Sequence, residues 1–575
     1  MLAEYYNHVN SDLLEIIPPD AGTILEIGCG GGALGRAVKR INPAAYYIGI
    51  EANPAAAREA SRYIDRVLNS DVEQLELESL TLADGGSAVG QIDCLVYCNV
   101  LENLVDPWKV LKRHTALLAP GGVVVACIPN VQHWSVISEL LRGKWEYQND
   151  GLLDRTHLRF FSSEGIESLF EQAELRIFEV RLRRHIDDQA VQFQQSMKPI
   201  LESLGIDQNI FDQQTATVQY LVRALRIAEQ PQRLLLQTLM LKPQAAVNDV
   251  RIKFPNRFVG TVPGVRVMSM VDRMDLGISK NYADKVLIWQ RPVMKKEKSL
   301  IKLQRLVNSG YLVINEIDDY PFFYPEMAQH GQFTFAGVHA LQTSTEVLAG
   351  VLRQYNPNVG VFPNQLIELP DPRMYDDDDE DDKVAIFFGA LNRKADWQSI
   401  MPALNVLLSE YGQRVSVNVV YDRDFFDALA TNHKTFEPMC GYDRYQAILR
   451  GNDIALLPLA DTLFNRCKSD LKFLECAGQG VAVLASPTVY KETIEDGETG
   501  LLFDSEDSFL SNLRILIEDT VLRRAIAARA YDYVKKERLL AHHYRKRLAW
   551  YQSLLLQLPD LNAQLGERMP EIFSS

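Results

Sequence analysis

Short apolar runs alternate with amphipathic segments along residues 1–226. The runs at 23–27, 46–50, 92–97, 123–128 and 216–222 are bounded by polar and turn residues and predict buried strands. The segments between them have helical periodicity. This alternation predicts an α/β fold, with a mostly parallel sheet covered by helices on both faces. Residues 187–213 are polar and helical in pattern, and predict an insertion before the last strand.

Strand–helix alternation resumes after residue 262. We interpret 227–262 as a connector that contains a basic–apolar helix over 233–241. A run of six Asp and one Glu at 376–382 predicts a solvated surface loop or hinge, because like charges repel one another. A metal site there is the less favoured alternative. The run separates predicted lobes at 263–375 and 384–556, and 557–575 is predicted to be a tail.

Composition narrows the class of protein. A chain of 575 residues contains about three or four domain-sized units. Its 60 basic and 75 acidic residues give a net charge of −15, which argues against a nucleic-acid partner. The pattern predicts neither a membrane span nor a secretory signal. Seven cysteines without a CxxC pair indicate reduced thiols, no metal site and a cytoplasmic location.

A glycine-rich motif follows the first predicted strand. Residues 24–32 read ILEIGCGGG, and glycines between a strand and a helix permit a tight turn and a close approach of a ligand to the backbone. Glu51 ends the next predicted strand, about 20 residues farther on, where a carboxylate can bind ribose hydroxyls. These observations fit a nicotinamide dinucleotide and S-adenosylmethionine equally well.

Three further features distinguish the two cofactors. Glu26 lies inside the glycine motif, Asp71 follows a further strand between the runs at 46–50 and 92–97, and Pro-Gly-Gly at 120–122 precedes the run at 123–128. With them, residues 1–226 resemble the class I S-adenosylmethionine-dependent methyltransferases, which have a Rossmann-like fold. The resemblance implies these cofactor contacts: Glu26, Gly28 and Gly30 along the methionine and ribose, Glu51 at the ribose hydroxyls, Asp71 and Val72 beside adenine, and Asn99 at the methionine end.

The resemblance also implies that the loops after the runs at 92–97 and 123–128 build the acceptor pocket. Residues 151–161 read GLLDRTHLRFF, a string similar to one in methyltransferases of bacterial polysaccharide synthesis. O-methylation needs a base near the hydroxyl, and His133 is the first candidate, followed by Asp154 and His157. The alternative is that Asp154 and His157 only hydrogen-bond their own loop. The family often has His where this chain has Asn103, which cannot act as a base.

A second set of candidate residues lies in 384–475. An apolar strand leads into a small-residue turn with two cations, Arg393 and Lys394. Residues 464–475 read FNRCKSDLKFLE and open a predicted helix, with Ser469 or Asp470 as its cap. The spacing of Lys468, Lys472 and Glu475 predicts that they share one helix face. A helix N-terminus with cations suits a diphosphate.

This region resembles the nucleotide-binding lobe of retaining GT-B glycosyltransferases, whose two lobes are both Rossmann-like. The resemblance implies the following nucleotide-sugar site: Gly389, Arg393 (or Lys394), Lys468, Lys472 and Glu475. In the alternative, a generic lobe, Lys472 and Glu475 form a surface ion pair. Retaining members commonly have a second glutamate eight positions before Glu475, where this chain has Cys467. Upstream, Asp318 or Asp319 could bind acceptor hydroxyls or act as a base, and capping of the strand end is an equal alternative.

Together the two resemblances imply a bifunctional enzyme of bacterial surface glycan biosynthesis. One part would methylate a sugar hydroxyl with S-adenosylmethionine, and the other would transfer a sugar from a nucleotide-sugar donor. In the alternative, a methyltransferase carries a degenerate GT-B region as a glycan-binding or scaffolding module. The expected partner is a glycan acceptor, with a lipid-linked acceptor and peripheral membrane association left open. The sequence does not indicate an oligomeric state.

Overall fold

The computed structural model describes residues 9–76, 80–241, 245–271, 274, 276–323, 325–374, 383–391 and 393–574. It divides the chain into two compact units. The first is Met1–Gln232 with Thr261–Gly264, and the second is Arg233–Gly260 with Val265–Ser575. The acidic run 376–382 lies outside the described residues, and the surface loop there stays a prediction.

Seven strands form one sheet among the described residues of the first unit, which confirms the predicted α/β class. They are β1 (Thr23–Ile27), β2 (Tyr46–Glu51), β3 (Arg66–Asn69), β4 (Ile92–Cys98), β5 (Leu118–Pro129), β6 (Leu175–Arg184) and β7 (Thr217–Arg226). The strand order is β3-β2-β1-β4-β5-β7-β6, and β7 runs antiparallel to β5 and β6. The α-helices are Ser11–Leu14, Ala33–Ile41, Pro54–Ala60, Pro107–His114, Trp134–Leu141, Ser163–Gln172, Asp188–Leu204 and Gln208–Thr215. The last two form the predicted insertion.

The strand order changes direction between β1 and β4, and we call the carboxyl edge of the sheet between these two strands the crevice. β1 pairs with β2 on one side and with β4 on the other, both in parallel. Because the connections leave β1 and β4 in opposite directions, the loops after these strands diverge, and ligands of open α/β sheets bind at such a point. Both faces of the central strands are buried, with Ile24 in one apolar cluster and Leu25 in the other.

Two six-stranded parallel sheets form the described part of the second unit. The first lobe contains β8 (Leu234–Leu239), β9 (Val265–Met270), β10 (Asp284–Gln290), β11 (Tyr311–Glu316), β12 (Ala340–Thr343) and β13 (Val359–Val361), in the order β13-β12-β11-β10-β8-β9. The second lobe contains β14 (Val384–Gly389), β15 (Val415–Val420), β16 (Lys434–Glu437), β17 (Ile454–Leu457), β18 (Ala482–Ala485) and β19 (Leu501–Leu502), in the order β16-β15-β14-β17-β18-β19.

Helices cover these two sheets. Those of the first lobe are Ala245–Asn248, the π-helix Asp249–Lys253, Phe254–Val259, Lys296–Asn308, Pro325–Ala336 and Glu346–Leu352. Those that follow are Lys394–Trp397, Met401–Tyr411, Arg423–Ala428, Tyr442–Arg450, Leu463–Arg466, Leu471–Gly478, Pro487–Tyr490, Glu506–Glu518, Thr520–Glu537, Tyr544–Leu556 and Leu558–Arg568. Among the described helices, none combines the length and apolarity that crossing a bilayer requires.

The helix predicted over 233–241, in the presumed connector, is wrong. Its residues form β8, which lies between β10 and β9 in the first-lobe sheet. All six residues of β8 are buried, and a near-continuous apolar run is typical of a strand buried on both faces of a parallel sheet. The stretch 227–262 is therefore not a separate connector. The lobe boundaries at 263–375 and 384–556 stay predictions.

The segment predicted as a tail, 557–575, is also different in the structure. It contains the helix Leu558–Arg568, and Leu565 and Ile572 are buried in the apolar cluster of the first lobe with Leu303 and Phe335. These partners lie more than 200 residues away in the chain, so only the tertiary structure brings them together.

We expect Leu565→Ala to lower the free energy of unfolding by about 2–5 kcal/mol, because it removes a fully buried side chain and leaves a cavity. Leu556→Ala is the matched control, since Leu556 ends the preceding helix with 85% of its surface exposed. Chemical denaturation of both variants measures the difference. An equal loss in the two would contradict the packing of the terminal helix.

Candidate active sites

The glycine loop after β1 lies against the loop after β4. Gly28 and Gly30 have φ values of 72° and 53°, in the left-handed region that favours glycine. A Cβ atom on Gly28 would lie 2.6 Å from Cγ2 of Val100, so the position excludes any side chain. The loop backbone therefore follows the crevice at the carboxyl edge closely.

Glu51 holds the glycine loop in place. Its Oε2 accepts the N–H of Gly30 at 2.9 Å, and its Oε1 accepts the N–H of Asn53 at 2.8 Å. Only 8% of Glu51 is exposed. A carboxylate offers about four lone-pair directions, so two remain for another donor pair, such as two hydroxyls.

The other residues predicted to bind cofactor lie near the same sheet edge. Glu26 is buried below the loop and its Oε2 accepts the hydroxyl of Tyr47 at 2.9 Å. Burial raises the pKa of Glu26 to about 8. Asp71 follows β3 and caps its own turn, with Oδ1 accepting the N–H of Glu73 at 3.0 Å, and Val72 beside it is buried. Asn99 follows β4 with a φ of 53°.

His133 is held by its own helix. It is the first residue before helix Trp134–Leu141, and its Nδ1 contacts the hydroxyl of Ser135 at 2.8 Å and accepts the N–H of Ser135 at 3.4 Å. Burial lowers the pKa of His133 to about 4, so the ring is neutral at pH 7. With Nδ1 as the acceptor, the hydrogen-bond network assigns the proton to Nε2.

Asp154 and His157 lie in one loop, and each hydrogen-bonds to a residue of that loop. Oδ1 of Asp154 accepts the N–H and the hydroxyl of Thr156, at 2.7 and 2.8 Å. Nδ1 of His157 lies 3.2 Å from the carbonyl of Leu152 and donates to it, which leaves the Nε2 lone pair free. That Nε2 lies 4.0 Å from Oε1 of Glu102.

The sequence analysis missed Glu102. It lies in the short 3-10 turn Leu101–Asn103 after β4, and only 1% of it is exposed. Burial raises its pKa to about 8. The available signal was a carboxylate in the apolar segment that follows the fourth strand.

The second unit brings two of the predicted cations to one aromatic ring. The guanidinium of Arg393 lies 5.8 Å from the ring centre of Phe464, and Nη1 of Arg393 contacts Oδ1 of Asn465 at 3.2 Å. Nζ of Lys468 lies 4.2 Å from the same ring centre. Lys394 is exposed and faces Asp424 at 3.8 Å. Arg393, and not Lys394, therefore accompanies Lys468.

Lys468 meets a carboxylate from the first lobe. Its Nζ lies 3.2 Å from Oδ1 of Asp319, and 16% of its side chain is exposed. Burial lowers the pKa of Lys468, and the charge of Asp319 opposes that change. The neighbouring Asp318 pairs with Arg291 through both carboxylate oxygens, and although burial disfavours its charge, this pair holds the pKa of Asp318 below its usual range.

Lys472 and Glu475 are not a surface pair. Their Nζ and Oε2 lie 3.2 Å apart, Glu475 is buried, and Nζ of Lys472 also donates to the hydroxyl of Tyr445 at 2.8 Å. Gly389 packs against the same tyrosine. A Cβ atom at this position would lie 2.4 Å from the ring of Phe387 and 3.0 Å from the ring of Tyr445, so a side chain is excluded.

Two local predictions about this helix are wrong. Lys468 does not share a helix face with Lys472 and Glu475, because it lies in the break between helices Leu463–Arg466 and Leu471–Gly478. Asp470 occupies the capping position, but it pairs with Arg538, which follows a later helix, and makes no capping hydrogen bond to its own helix.

Cys467 lies in the apolar cluster of the first lobe and is fully buried. Burial raises the pKa of its thiol to about 11, so the group is neutral. It therefore cannot supply the charge of the glutamate that the resemblance would place there. Within the described residues, no group of three or more His, Cys, Asp or Glu side chains could hold a metal ion.

Two family models match separate regions of the chain. Residues 2–180 match the model described as a methyltransferase domain, and residues 407–552 match one described as glycosyl transferase-like.

Curated relatives match a part of the chain. An uncharacterized 37.1 kDa protein of a transposon from Streptomyces fradiae is 31% identical over 129 residues, which are 22% of this chain and 35% of that protein. The ubiquinone biosynthesis O-methyltransferase of Ralstonia nicotianae is 29% identical over 120 residues, 20% of this chain and 48% of that enzyme. The chain thus spans less than half the length of these relatives.

Two solved structures align with parts of the chain. HepE of Anabaena, in complex with UDP and glucose, aligns with a TM-score of 0.40 and 13% identity, over 56% of this chain and 100% of that one. A SAM-dependent methyltransferase of Archaeoglobus fulgidus aligns with a TM-score of 0.28 and 16% identity, over 39% of this chain and 94% of that one.

Proposed function

Since the chain joins a methyltransferase domain to a glycosyltransferase-like domain, we propose that it methylates a sugar hydroxyl with S-adenosylmethionine and transfers a sugar from a nucleotide-sugar donor. We place it in bacterial surface glycan biosynthesis in the cytoplasm, with a glycan, free or lipid-linked, as acceptor. Joining the two activities would raise the local concentration of a shared acceptor. The observation that carries the proposal is the carboxylate clamp of Glu51 on the glycine loop, at the crevice between β1 and β4.

The residues at this crevice fit S-adenosylmethionine. The loop backbone at Gly28 has no room for a side chain, because it packs directly against Val100 in the loop after β4. Glu51 would bind the ribose, Asp71 and Val72 would flank adenine, and Asn99 would border the methionine. When bound, the cofactor supplies an electrophilic methyl group.

We propose His157 as the base for the acceptor hydroxyl. Its Nε2 lone pair is free, whereas Nδ1 of His133 is occupied by Ser135 and Nε2 of that ring carries the proton. Nε2 of His157 would accept the proton of the acceptor hydroxyl when the bound cofactor supplies its methyl group. His133 and Asp154 would then shape the pocket, through the helix cap and the turn that each one holds.

For the second activity, the cations converge where a diphosphate would bind. Arg393 and Lys468, both against Phe464, would hold the phosphates. Glu475, buried beside Lys472 and Tyr445, would bind the ribose. Asp319 pairs with Lys468, so a donor diphosphate has to compete with that carboxylate.

We expect Asp319→Asn to tighten the binding of UDP by about three- to tenfold, because Lys468 loses its internal counter-ion. Isothermal titration calorimetry measures the change. Asp461→Asn is the matched control, since it removes an exposed pair with Arg466 outside the cleft and should leave the affinity unchanged. Weaker binding by Asp319→Asn would place Asp319 among the groups that hold the nucleotide.

The proposed function is tested by calorimetry of the full chain with S-adenosylhomocysteine and with a panel of nucleoside diphosphates. We expect both classes to bind. Absence of S-adenosylhomocysteine binding by the folded protein would contradict the methyltransferase assignment. Absence of any nucleotide binding would contradict the transferase assignment.

The buried Cys467 favours a second candidate function for the glycosyltransferase-like region. Because a neutral, fully buried thiol replaces the expected carboxylate, this region could bind a glycan without transferring sugar. In that case a glycan array would detect binding, while calorimetry with nucleoside diphosphates and assays of donor hydrolysis would both be negative.

A further inference from the structure

Glu102 is a buried carboxyl group to which the proposed methyl transfer gives no role. Only 1% of it is exposed, and neither Oε1 nor Oε2 has a hydrogen-bond partner in the part of the chain that the structure describes. Its backbone carbonyl accepts the N–H groups of Leu158 and Arg159, which fixes the turn against the loop of His157. An unpaired buried carboxyl is costly to maintain, and this cost is repaid when a ligand supplies the missing partner.

The position of Glu102 points to the cofactor as that ligand. Its turn begins one residue after Val100, whose side chain packs against Gly28 of the glycine loop. Burial raises the pKa of the Cys98 thiol, at the end of β4, and the charges of Glu26 and Glu102 raise it further. The two buried carboxyls therefore flank the end of β4, beside the crevice where Asn99 would border the methionine.

No Lys or Arg side chain in the described part of the chain forms an ion pair with Glu102. The titratable and charged groups near its carboxyl group or near the thiols beside it are His157, Asp154, Glu26, Cys98, Cys127 and Arg183. Asp154 disfavours a second negative charge, and the thiols are neutral because burial raises their pKa. Among the described residues, only His157 lies within ion-pair distance of Glu102, at 4.0 Å.

We propose that Glu102 is the counter-ion for the sulfonium of S-adenosylmethionine and makes the site prefer this cationic cofactor to the neutral thioether product. The inference rests on the proposed methyl transfer. S-adenosylmethionine and S-adenosylhomocysteine share their adenosine and amino-acid ends, and differ by one methyl group and one positive charge. A carboxylate near the sulfur atom therefore strengthens the binding of S-adenosylmethionine relative to that of S-adenosylhomocysteine.

Proton exchange accompanies this discrimination. Burial raises the pKa of Glu102 to about 8, so the free site holds mostly the protonated carboxyl at pH 7. A bound sulfonium stabilises the carboxylate, and about one proton leaves to the solvent. After methyl transfer the product has lost the charge, the carboxyl regains a proton, and the product dissociates more readily.

Calorimetry with S-adenosylmethionine and S-adenosylhomocysteine tests this at pH 6.5 and 8.5. We compare the wild type with Glu102→Gln, which cannot titrate at this position and so measures the ligands' own pH dependence. Relative to that variant, the preference of the wild type for S-adenosylmethionine should rise about 20-fold between the two pH values, which is the linkage expected for a pKa of about 8. Glu102→Gln should bind S-adenosylhomocysteine as the wild type does, which also shows that it folds.

Three outcomes would overturn the proposal. One is a preference that rises equally in the wild type and in Glu102→Gln. Another is a rise that disappears in Glu26→Gln and persists in Glu102→Gln, since Glu26 is the other buried carboxyl beside Cys98. The third needs no variant: equal proton release for the two ligands, measured in phosphate and in Tris. Failure to bind either ligand would instead contradict the proposed function itself.

Discussion

Glu51→Ala is expected to weaken the binding of S-adenosylhomocysteine by about 100-fold, as measured by calorimetry. The variant loses two charge-assisted hydrogen bonds at once, to the N–H groups of Gly30 and Asn53. It also loses the carboxylate that would bind the ribose hydroxyls. The glycine loop would then have to be ordered by the ligand at the expense of binding energy.

Two further variants separate these contributions. Glu51→Gln keeps one acceptor oxygen and should have an intermediate affinity. Asp65→Ala is the matched control: Asp65 accepts the N–H of Tyr47 near the opposite end of β2 and pairs with Lys39, away from the crevice. An undiminished affinity in Glu51→Ala, or an equal loss in Asp65→Ala, would contradict the assignment of Glu51.

Lys468→Ala is expected to weaken the binding of UDP by about 50-fold in the same kind of experiment. The variant removes a largely buried ammonium group and leaves Asp319 without its partner, so that a negative charge then faces the diphosphate. Arg393 alone would remain against Phe464.

The control for Lys468 is its neighbour Arg466. Arg466→Ala removes a cation two residues away, but that cation is exposed and pairs with Asp461, so the affinity should stay unchanged. In the double variant Lys468→Ala with Asp319→Asn, we expect only part of the loss to be recovered. Full recovery would mean that Lys468 acts only by neutralising Asp319, and would contradict its assignment to the phosphates.

Features that depend on neighbouring residues were predictable from the sequence. The glycine motif and Glu51 could be identified because a strand, a turn and the next strand place them at one sheet edge by local rules. The strands β1, β2 and β4 were predicted to within one residue at their ends for the same reason. The strand β8 was not, because a short apolar run is compatible with both a helix and a buried strand.

Contacts between distant residues were beyond such reasoning. Lys468 and Asp319 are 149 positions apart, and their ion pair depends on how the two lobes of the second unit pack. The same packing buries Cys467 in the apolar cluster of the first lobe. Within the second lobe, the side chain of Asp470 turns away from its helix towards Arg538, 68 positions farther on. The residue types of Lys468, Cys467 and Asp470 could be interpreted from the sequence, but the role of each one depended on the residues that it contacts in the fold.

By itself the sequence determined the α/β class, the presence of two chemically distinct regions and the loop at Gly28, because periodicity and glycine requirements act over a few residues. Only the tertiary structure decided how β8 and the terminal helix complete the first lobe. It also decided that His133 caps a helix, that His157 keeps a free Nε2 lone pair, and that Glu102 is buried with no hydrogen-bond partner among the described residues. The physical reason is that burial and hydrogen-bond partners, which set the charge and availability of each group, depend on the whole fold.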